Sequence, residues 1–160
     1  MNLIRGLREH AEIHLLAGSN RAREFFKHDF LIMSAAVGDF VPVRYFSTKV
    51  ARQKQWTVKF RQTHDLVEGL AQKKGKRLVI GFSLETEDWL ERSKRKRIRK
   101  HLDGIVANYY SRRHNPFGVS GVHAALIDEW KTQVLRLSSK GKLAQRALNW
   151  MIALARARQI

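Results

Sequence analysis

Asp39 is the first residue in the chain whose type and position could do chemistry. It closes the run DFLIMSAAVGDF (29–40), where apolar residues give way to small residues and then to a carboxylate. Such a short apolar run, punctuated by Gly38, predicts a buried parallel strand rather than a helix. Ligands of open α/β sheets bind just beyond the carboxyl ends of strands, and Asp39 stands at that place. Tight packing of the small residues against a helix is the competing interpretation.

A dense basic segment further along the chain is the second candidate site. Seven of the nine residues from position 92 to 100 are Lys or Arg. Lys96 and Lys100 stand four residues apart and therefore fall on one face of a helix. A run of charges is usually just a solvated helix face, so the segment does not by itself indicate a site.

The elements that must position these side chains alternate between strand and helix. Alternation of this kind predicts a parallel, three-layer α/β sheet with right-handed crossovers. Between Val41 and Phe60, which we call the flap, apolar residues at period two predict an antiparallel excursion instead. The other expected elements, in chain order, are a helix over 2–9, a strand over 12–17, a helix over 21–27, a helix from Thr63 to Gly75, a strand over 77–83, a helix opening at Glu85 and Thr86, a strand over 103–108, a hairpin of 124–128 with 132–137, and a closing amphipathic helix from Ser139.

Length and composition favour one soluble domain over residues 1–160. No stretch approaches the roughly 20 apolar residues that cross a bilayer, so no membrane is expected as a partner. The absence of cysteine excludes disulfides, thiolate catalysis and cysteine-ligated zinc. We expect a cytoplasmic protein, with an organellar matrix as the alternative.

The net charge of +17, from 31 Lys and Arg against 14 Asp and Glu, implies a polyanionic partner. Small phosphorylated ligands need only a few positive groups, whereas RNA or a ribonucleoprotein can use many through counterion release. A generally basic proteome or a charge-balancing partner protein would explain the same excess. The candidate RNA-binding residues are Arg92, Arg95, Arg99, Arg112, Arg113, Lys140, Lys142 and Arg146.

Four segments together resemble the phosphopantothenoylcysteine synthetases, the CTP-dependent ligases of coenzyme A biosynthesis. They are Met33 to Phe40, Lys49, GFSLET (81–86) and KRIRKHLDGIVAN (96–108), and they occur in the family's order. The resemblance covers about Ile13 to Ile160 and implies the family's C-terminal portion. The expected fold class is α/β: a three-layer, mostly parallel Rossmann-like sheet with an antiparallel flap and a C-terminal hairpin, truncated on its N-terminal side.

The resemblance also implies roles for individual residues. CTP would be the substrate that activates a carboxylate, with a divalent cation such as Mg²⁺ if the chain is active. The flap would form a homodimer or dock a partner. The implied residues are Lys49 for catalysis, Asp39, Lys49, Phe82, Lys96 and Lys100 for the nucleotide, and Ala35 and Ala36 for the substrate. Solvation of Lys49 and burial of Phe82 in the core are the competing interpretations, and no metal ligands are assigned.

Three departures from the family pattern argue that the chain alone is not a complete ligase. A KxKK motif becomes Lys49, Val50, Ala51, Arg52, and His64 stands where proline is usual. The glycine-rich loop that cradles the triphosphate has no counterpart in these residues. The lone chain is therefore expected to be inactive unless a separate glycine-loop chain completes it. The alternative is a non-catalytic descendant of the fold that binds RNA or a ribonucleoprotein.

Overall fold

The computed structural model describes residues 25–34, 38–112 and 121–159. The described residues divide into two compact units. The smaller unit consists of the described residues between 35 and 66, and the larger unit contains the rest. The described residues form seven strands: β1 Phe30–Met33, β2 Phe40–Pro42, β3 Phe60–Gln62, β4 Leu78–Glu85, β5 Gly104–Tyr109, β6 Val122–Ile127 and β7 Thr132–Leu137. The helices are α1 Leu66–Ala71, α2 Trp89–Arg99 and α3 Lys140–Ala157.

The larger unit is built on a five-stranded sheet in the order β1-β4-β5-β6-β7. β1, β4 and β5 are parallel, with Phe30 opposite Leu78 and Ile80 opposite Gly104. β6 and β7 extend the sheet as an antiparallel hairpin. The prediction of an α/β fold with a mostly parallel core and a C-terminal hairpin is confirmed.

Helices cover both faces of this sheet, which gives the three expected layers. Side chains of α3, among them Met151, pack on the face that carries Ile80 and Val106. Trp89 of α2 packs on the other face, against the cluster that contains Ile105. Because successive strand residues point to opposite faces, β4 and β5 supply apolar side chains to both cores. The near-continuous apolar runs in these two strands follow from that double burial.

Several element boundaries differ from the sequence expectation, and two of the differences have a clear physical reason or consequence. The helix expected from Thr63 begins at Leu66, because Thr63 instead extends the β2–β3 pairing, its N–H donating to the carbonyl of Asp39 at 2.9 Å. Glu85 does not open a helix but ends β4, and α2 begins at Trp89. The predicted elements over 2–9 and 12–17 lie outside the described residues, as does most of 21–27.

The smaller unit contains the antiparallel pair β2 and β3, with Phe40 opposite Gln62 and Pro42 opposite Phe60. The excursion is therefore antiparallel as predicted, but its strands are confined to the two ends of the flap. In the described part of the chain, no helix is long and apolar enough to cross a membrane.

Candidate functional site

Glu85 organises the carboxyl edge of the sheet, at the end of β4. Its carboxylate is buried, and Oε1 accepts a hydrogen bond from Lys96 Nζ at 2.7 Å. Arg92 Nε lies 3.3 Å from Oε2 of the same carboxylate. Arg92 and Lys96 stand four residues apart on α2, so both reach the strand end from one helix face. We call these three residues the Glu85 cluster.

The charges of the Glu85 cluster do not balance. One carboxylate faces two cations, which leaves a formal surplus of one positive charge. The Glu85 side chain is 9% exposed, whereas Lys96 is 33% and Arg92 56% exposed. The acid is therefore enclosed and the bases reach solvent, which suits binding of an anion at this edge.

Two further contacts fix α2 over the strand ends. The hydroxyls of Ser83 and Ser93, both buried, lie 2.8 Å apart and join β4 to α2. At the start of α2, the centroid of the Trp89 ring lies 5.8 Å from the ring centroid of Tyr109 and 5.1 Å from that of His123. These contacts hold the helix that carries Arg92 and Lys96 against β4, β5 and β6.

Phe82 lies on the opposite face of the sheet from Lys96. Its side chain is partly buried against the core that includes Ile80 and Met151 of α3. Lys96 contacts Glu85, which faces α2. The sheet separates these two predicted nucleotide contacts, and core packing accounts for the surroundings of Phe82.

Lys100 occupies the C-cap of α2. It follows Lys96 by four residues and hence by roughly 6 Å along the helix axis, away from the carboxyl edge. Lys96 is a member of the Glu85 cluster, whereas Lys100 lies about one helical turn farther from the carboxyl edge. Their expected joint contact with one triphosphate stays a prediction.

The other predicted site residues are placed as follows. Asp39 and Lys49 are exposed and belong to the smaller unit. Their assignment to one site with Lys96 stays a prediction. Ala35, Ala36 and Arg113 lie outside the described residues. Within the described ranges, no group of three His, Asp or Glu residues could hold a metal ion by itself, so the divalent cation also stays a prediction.

The predicted RNA contacts fall on two separate surfaces and one loop. Arg92, Arg95 and Arg99 lie on α2, whereas α3 carries the second group on the opposite face of the sheet. That second group is Lys140, Lys142 and Arg146, all exposed. Arg112 is exposed in the loop after β5. One straight duplex could not contact both helices.

Sequence reasoning missed Glu85 as a site residue, although a signal was present. Alternation along β4 places Ser83 and Glu85 on the same face as Val79, toward α2. A carboxylate at the end of a buried strand, followed by bases seven and eleven positions later, indicates an ion-pair cluster. The expected helix start at Glu85 obscured that pattern.

Comparison with known proteins agrees with this architecture. A family model described as the DNA/pantothenate metabolism flavoprotein C-terminal domain matches residues 18–154. The coenzyme A biosynthesis bifunctional protein CoaBC of Bacillus subtilis is 37% identical over 81 residues, which cover 50% of this chain and 20% of that protein. A cysteine/cysteine sulfinic acid decarboxylase from an unknown prokaryotic organism is 32% identical over 123 residues, 75% of this chain and 34% of that protein.

A solved structure supports the fold independently. The crystal structure of the C-terminal domain of CoaBC superposes with a TM-score of 0.65 at 20% identity, covering 84% of this chain and 59% of that one. At this identity the likeness shows the fold alone. The chain spans between a fifth and about a third of the length of the two curated relatives above.

Proposed function

Because the chain belongs to the family of DNA/pantothenate metabolism flavoprotein C-terminal domains, we propose that it is a CTP-binding domain of the phosphopantothenate–cysteine ligase type. The observation that carries the proposal is the Glu85 cluster, with two cations held at the carboxyl edge of a parallel sheet. Ligands of such sheets bind at that edge. The substrate class, phosphopantothenate and cysteine, is inferred from the relatives whose names refer to coenzyme A biosynthesis.

In the proposed reaction, an oxygen of the phosphopantothenate carboxylate attacks the α-phosphorus of CTP. The bond to the β-phosphate breaks, pyrophosphate leaves, and an acyl-cytidylate forms. The amine of cysteine then attacks the acyl carbon, CMP leaves with the bonding electron pair, and an amide results. The protein's part is to place the reactants and to stabilise charge that develops on phosphate oxygens.

Individual residues would have separate roles in this reaction. Lys96 and Arg92 would bind phosphate oxygens at the carboxyl edge, and Glu85 would position both. Lys49 would stabilise the reacting phosphate, and Asp39 would hold the nucleotide or Mg²⁺, which commonly binds one or two carboxylates together with substrate phosphates. Lys100 and Phe82 would also contact the nucleotide, and Ala35 and Ala36 would contact the substrate. These four roles are taken from the family pattern.

We further propose that the 160-residue chain on its own does not complete ligation. It contains no glycine-rich loop, and surface lysines cannot reproduce the geometry of backbone amides that cradle phosphates. A separate polypeptide with such a loop would supply them. Pyrophosphate release from CTP by the isolated chain, dependent on phosphopantothenate and abolished by Lys49→Ala, would overturn this part of the proposal.

Calorimetric titration with CTP and Mg²⁺ tests nucleotide binding directly. We expect Lys96→Met to weaken CTP binding at least tenfold. Lys94→Met is the matched control, because Lys94 lies on the same helix and pairs with Glu91 instead of Glu85. Equal affinities of the two variants, or no detectable CTP binding by the parent chain at low salt, would contradict the proposed site.

A further inference from the structure

The outward face of α3 carries positive charge without any acid. Helix α3 contains no Asp or Glu. Its buried side, which includes Leu143, Ala147 and Met151, packs on the sheet, and four bases are exposed on the helix. Three of these bases, Lys142, Arg146 and Arg156, lie within about 80° of one another around the helix axis, opposite Ala147 and Met151, and we call them the α3 basic face. The fourth, Lys140, is the first residue of the helix and falls on the same side as Ala147, so it is not a member.

No carboxylate in the described residues neutralises the α3 basic face. The ion pairs there involve other bases, and none of them includes a member of this face. Helix α2 differs, because Lys94 pairs with Glu91 while Arg92 and Lys96 pair with Glu85. Three of the six bases of α2 are thus ion-paired, whereas in the described part of the chain no base of the α3 basic face is.

The side chains between the three bases of this face indicate which kind of partner fits. Gln145 and Asn149 are exposed and share a hydrogen bond of 3.2 Å. Helix α3 exposes no large apolar residue. A bilayer-bound helix needs an apolar face to insert, and a protein interface is usually anchored by buried aromatic or aliphatic residues. Neither is present on this surface, whereas phosphate backbones are bound by bases and polar side chains of this kind.

The length of the face matches a short stretch of nucleic acid. Residues 142 to 156 span roughly 21 Å of helix axis at about 1.5 Å per residue. Phosphates recur about every 3.4 Å along one strand of a duplex, so the face spans roughly six of them. Three basic side chains over this distance can neutralise several phosphates at once without reading any nucleobase.

We propose that the α3 basic face binds the phosphate backbone of RNA without sequence preference. This goes beyond the proposed CTP site, which lies at the strand ends and involves the opposite face of the sheet. The bases of α2 predicted earlier as RNA contacts take no part in it. The proposal accounts for positive charge that a nucleotide and a phosphorylated substrate do not require.

Salt dependence gives the proposal a quantitative expectation. Neutralising three phosphates predicts a slope of log affinity against log salt of about −2.7 on a duplex and about −2.1 on a single strand. Raising the salt from about 50 to about 200 mM should therefore weaken binding about 40-fold on a duplex and about 20-fold on a single strand.

Fluorescence anisotropy on labelled duplex RNA, single-stranded RNA and duplex DNA of random sequence tests the proposal. The first variant replaces every member of the α3 basic face with Gln. The control variant removes the same charge elsewhere, at exposed positions, with Lys73→Gln, Lys76→Gln and Arg95→Gln. Circular dichroism melting confirms that each variant is folded before binding is measured.

We expect the first variant to lose at least tenfold in RNA affinity at low salt and most of the salt slope, and the control to lose less than threefold. Comparable binding of RNA and DNA by the parent chain would support recognition of the backbone. Equal losses in the two variants would show that only net charge matters and would overturn the assignment to α3. The proposal would also fail if the parent chain did not bind RNA at low salt, or bound polyglutamate as tightly as RNA.

Discussion

The ammonium group of Lys96 lies 2.7 Å from the carboxylate of Glu85, so the lysine assigned to the nucleotide already has an acidic partner in the fold. Arg92 approaches the other oxygen of the same carboxylate. A phosphate that binds Lys96 would therefore meet a side chain that is already oriented. This reduces the side-chain ordering that binding must otherwise supply.

The Glu85–Lys96 pair should be coupled energetically. Lys96→Met leaves a buried carboxylate with Arg92 alone, and we expect a loss of about 1–2 kcal/mol, less than for a fully buried pair because Lys96 is partly exposed. Glu85→Gln removes the charge that Lys96 matches. The double variant should lose less than the sum of the two single losses. Urea unfolding of the parent chain, the two single variants and the double variant measures this coupling energy. Strictly additive losses would show that the contact contributes no coupling energy.

Local signals were enough to predict the C-terminal third of the fold. Asp128 closes the β6–β7 turn, its Oδ1 accepting N–H donors from Trp130 at 2.8 Å and Lys131 at 2.7 Å. Ser139 caps α3 by accepting the N–H of Lys142 at 3.3 Å. Both are short-range hydrogen bonds of residue types that favour turns and caps, so a window of a few residues contains the information.

Boundaries set by distant partners could not be predicted in this way. β4 continues to Glu85 because Glu85 pairs with Tyr109, a residue of another strand. In the flap, Trp56 and Val58 have strand-like spacing, yet β3 begins only at Phe60, where β2 offers a partner. Whether a neighbouring strand is present at a given position depends on the fold, and that decides where a strand stops. The same dependence hid the Glu85 cluster.

Asp103 should be a structural residue and not part of the nucleotide site. Its buried carboxylate accepts hydrogen bonds from Lys74 Nζ at 2.6 Å and from the backbone N–H of Val79 at 2.7 Å. Arg158 also pairs with it, at 2.5 Å. We expect Asp103→Ala to cost about 2–4 kcal/mol, because two partly buried bases and the buried N–H of Val79 lose their acceptor. Thermal melting measures the loss.

The milder variant Asp103→Asn separates stability from binding. Asp103 precedes β5 at the amino edge of the sheet, away from the Glu85 cluster. A folded Asp103→Asn protein should therefore retain the parent affinity for CTP. A loss of CTP affinity in a fully folded sample would show that the amino edge contributes to the site.

Gly104 should tolerate no side chain, because of its contact with Trp150. A Cβ at position 104 would lie 2.3 Å from Cη2 of that ring. The ring is held in place by its Nε1–H, which donates to Asp128 Oδ2 at 2.7 Å. We expect Gly104→Ala to destabilise the protein by about 1–3 kcal/mol through overpacking.

Gly38→Ala is the control for that prediction. There the nearest atom to a new Cβ is the Phe40 carbonyl oxygen at 3.7 Å, an ordinary contact. Its effect on the free energy of unfolding, measured with urea, should stay within about 0.5 kcal/mol. Equal effects of the two substitutions would mean that the Trp150 ring moves aside without cost.

The flap should bring two copies of the chain together. Its aromatic side chains are largely exposed, Tyr45 at 74% and Trp56 at 55%. The ring of Phe46 packs edge-on against Trp56 with centroids 6.1 Å apart, so an apolar surface is already assembled. Exposed apolar patches of this kind mark interaction sites, and closed twofold dimers are the commonest oligomers.

Sedimentation velocity over a range of protein concentrations tests this self-association. We expect the parent chain to dimerise and Tyr45→Ser combined with Trp56→Ser to shift it to monomer, because the substitutions remove apolar area from the interface. Trp130→Ser is the matched control, since Trp130 is 64% exposed but lies in the β6–β7 turn of the larger unit. A parent chain that stays monomeric at high concentration, or a control that dissociates as readily as the flap variant, would exclude the flap as the contact.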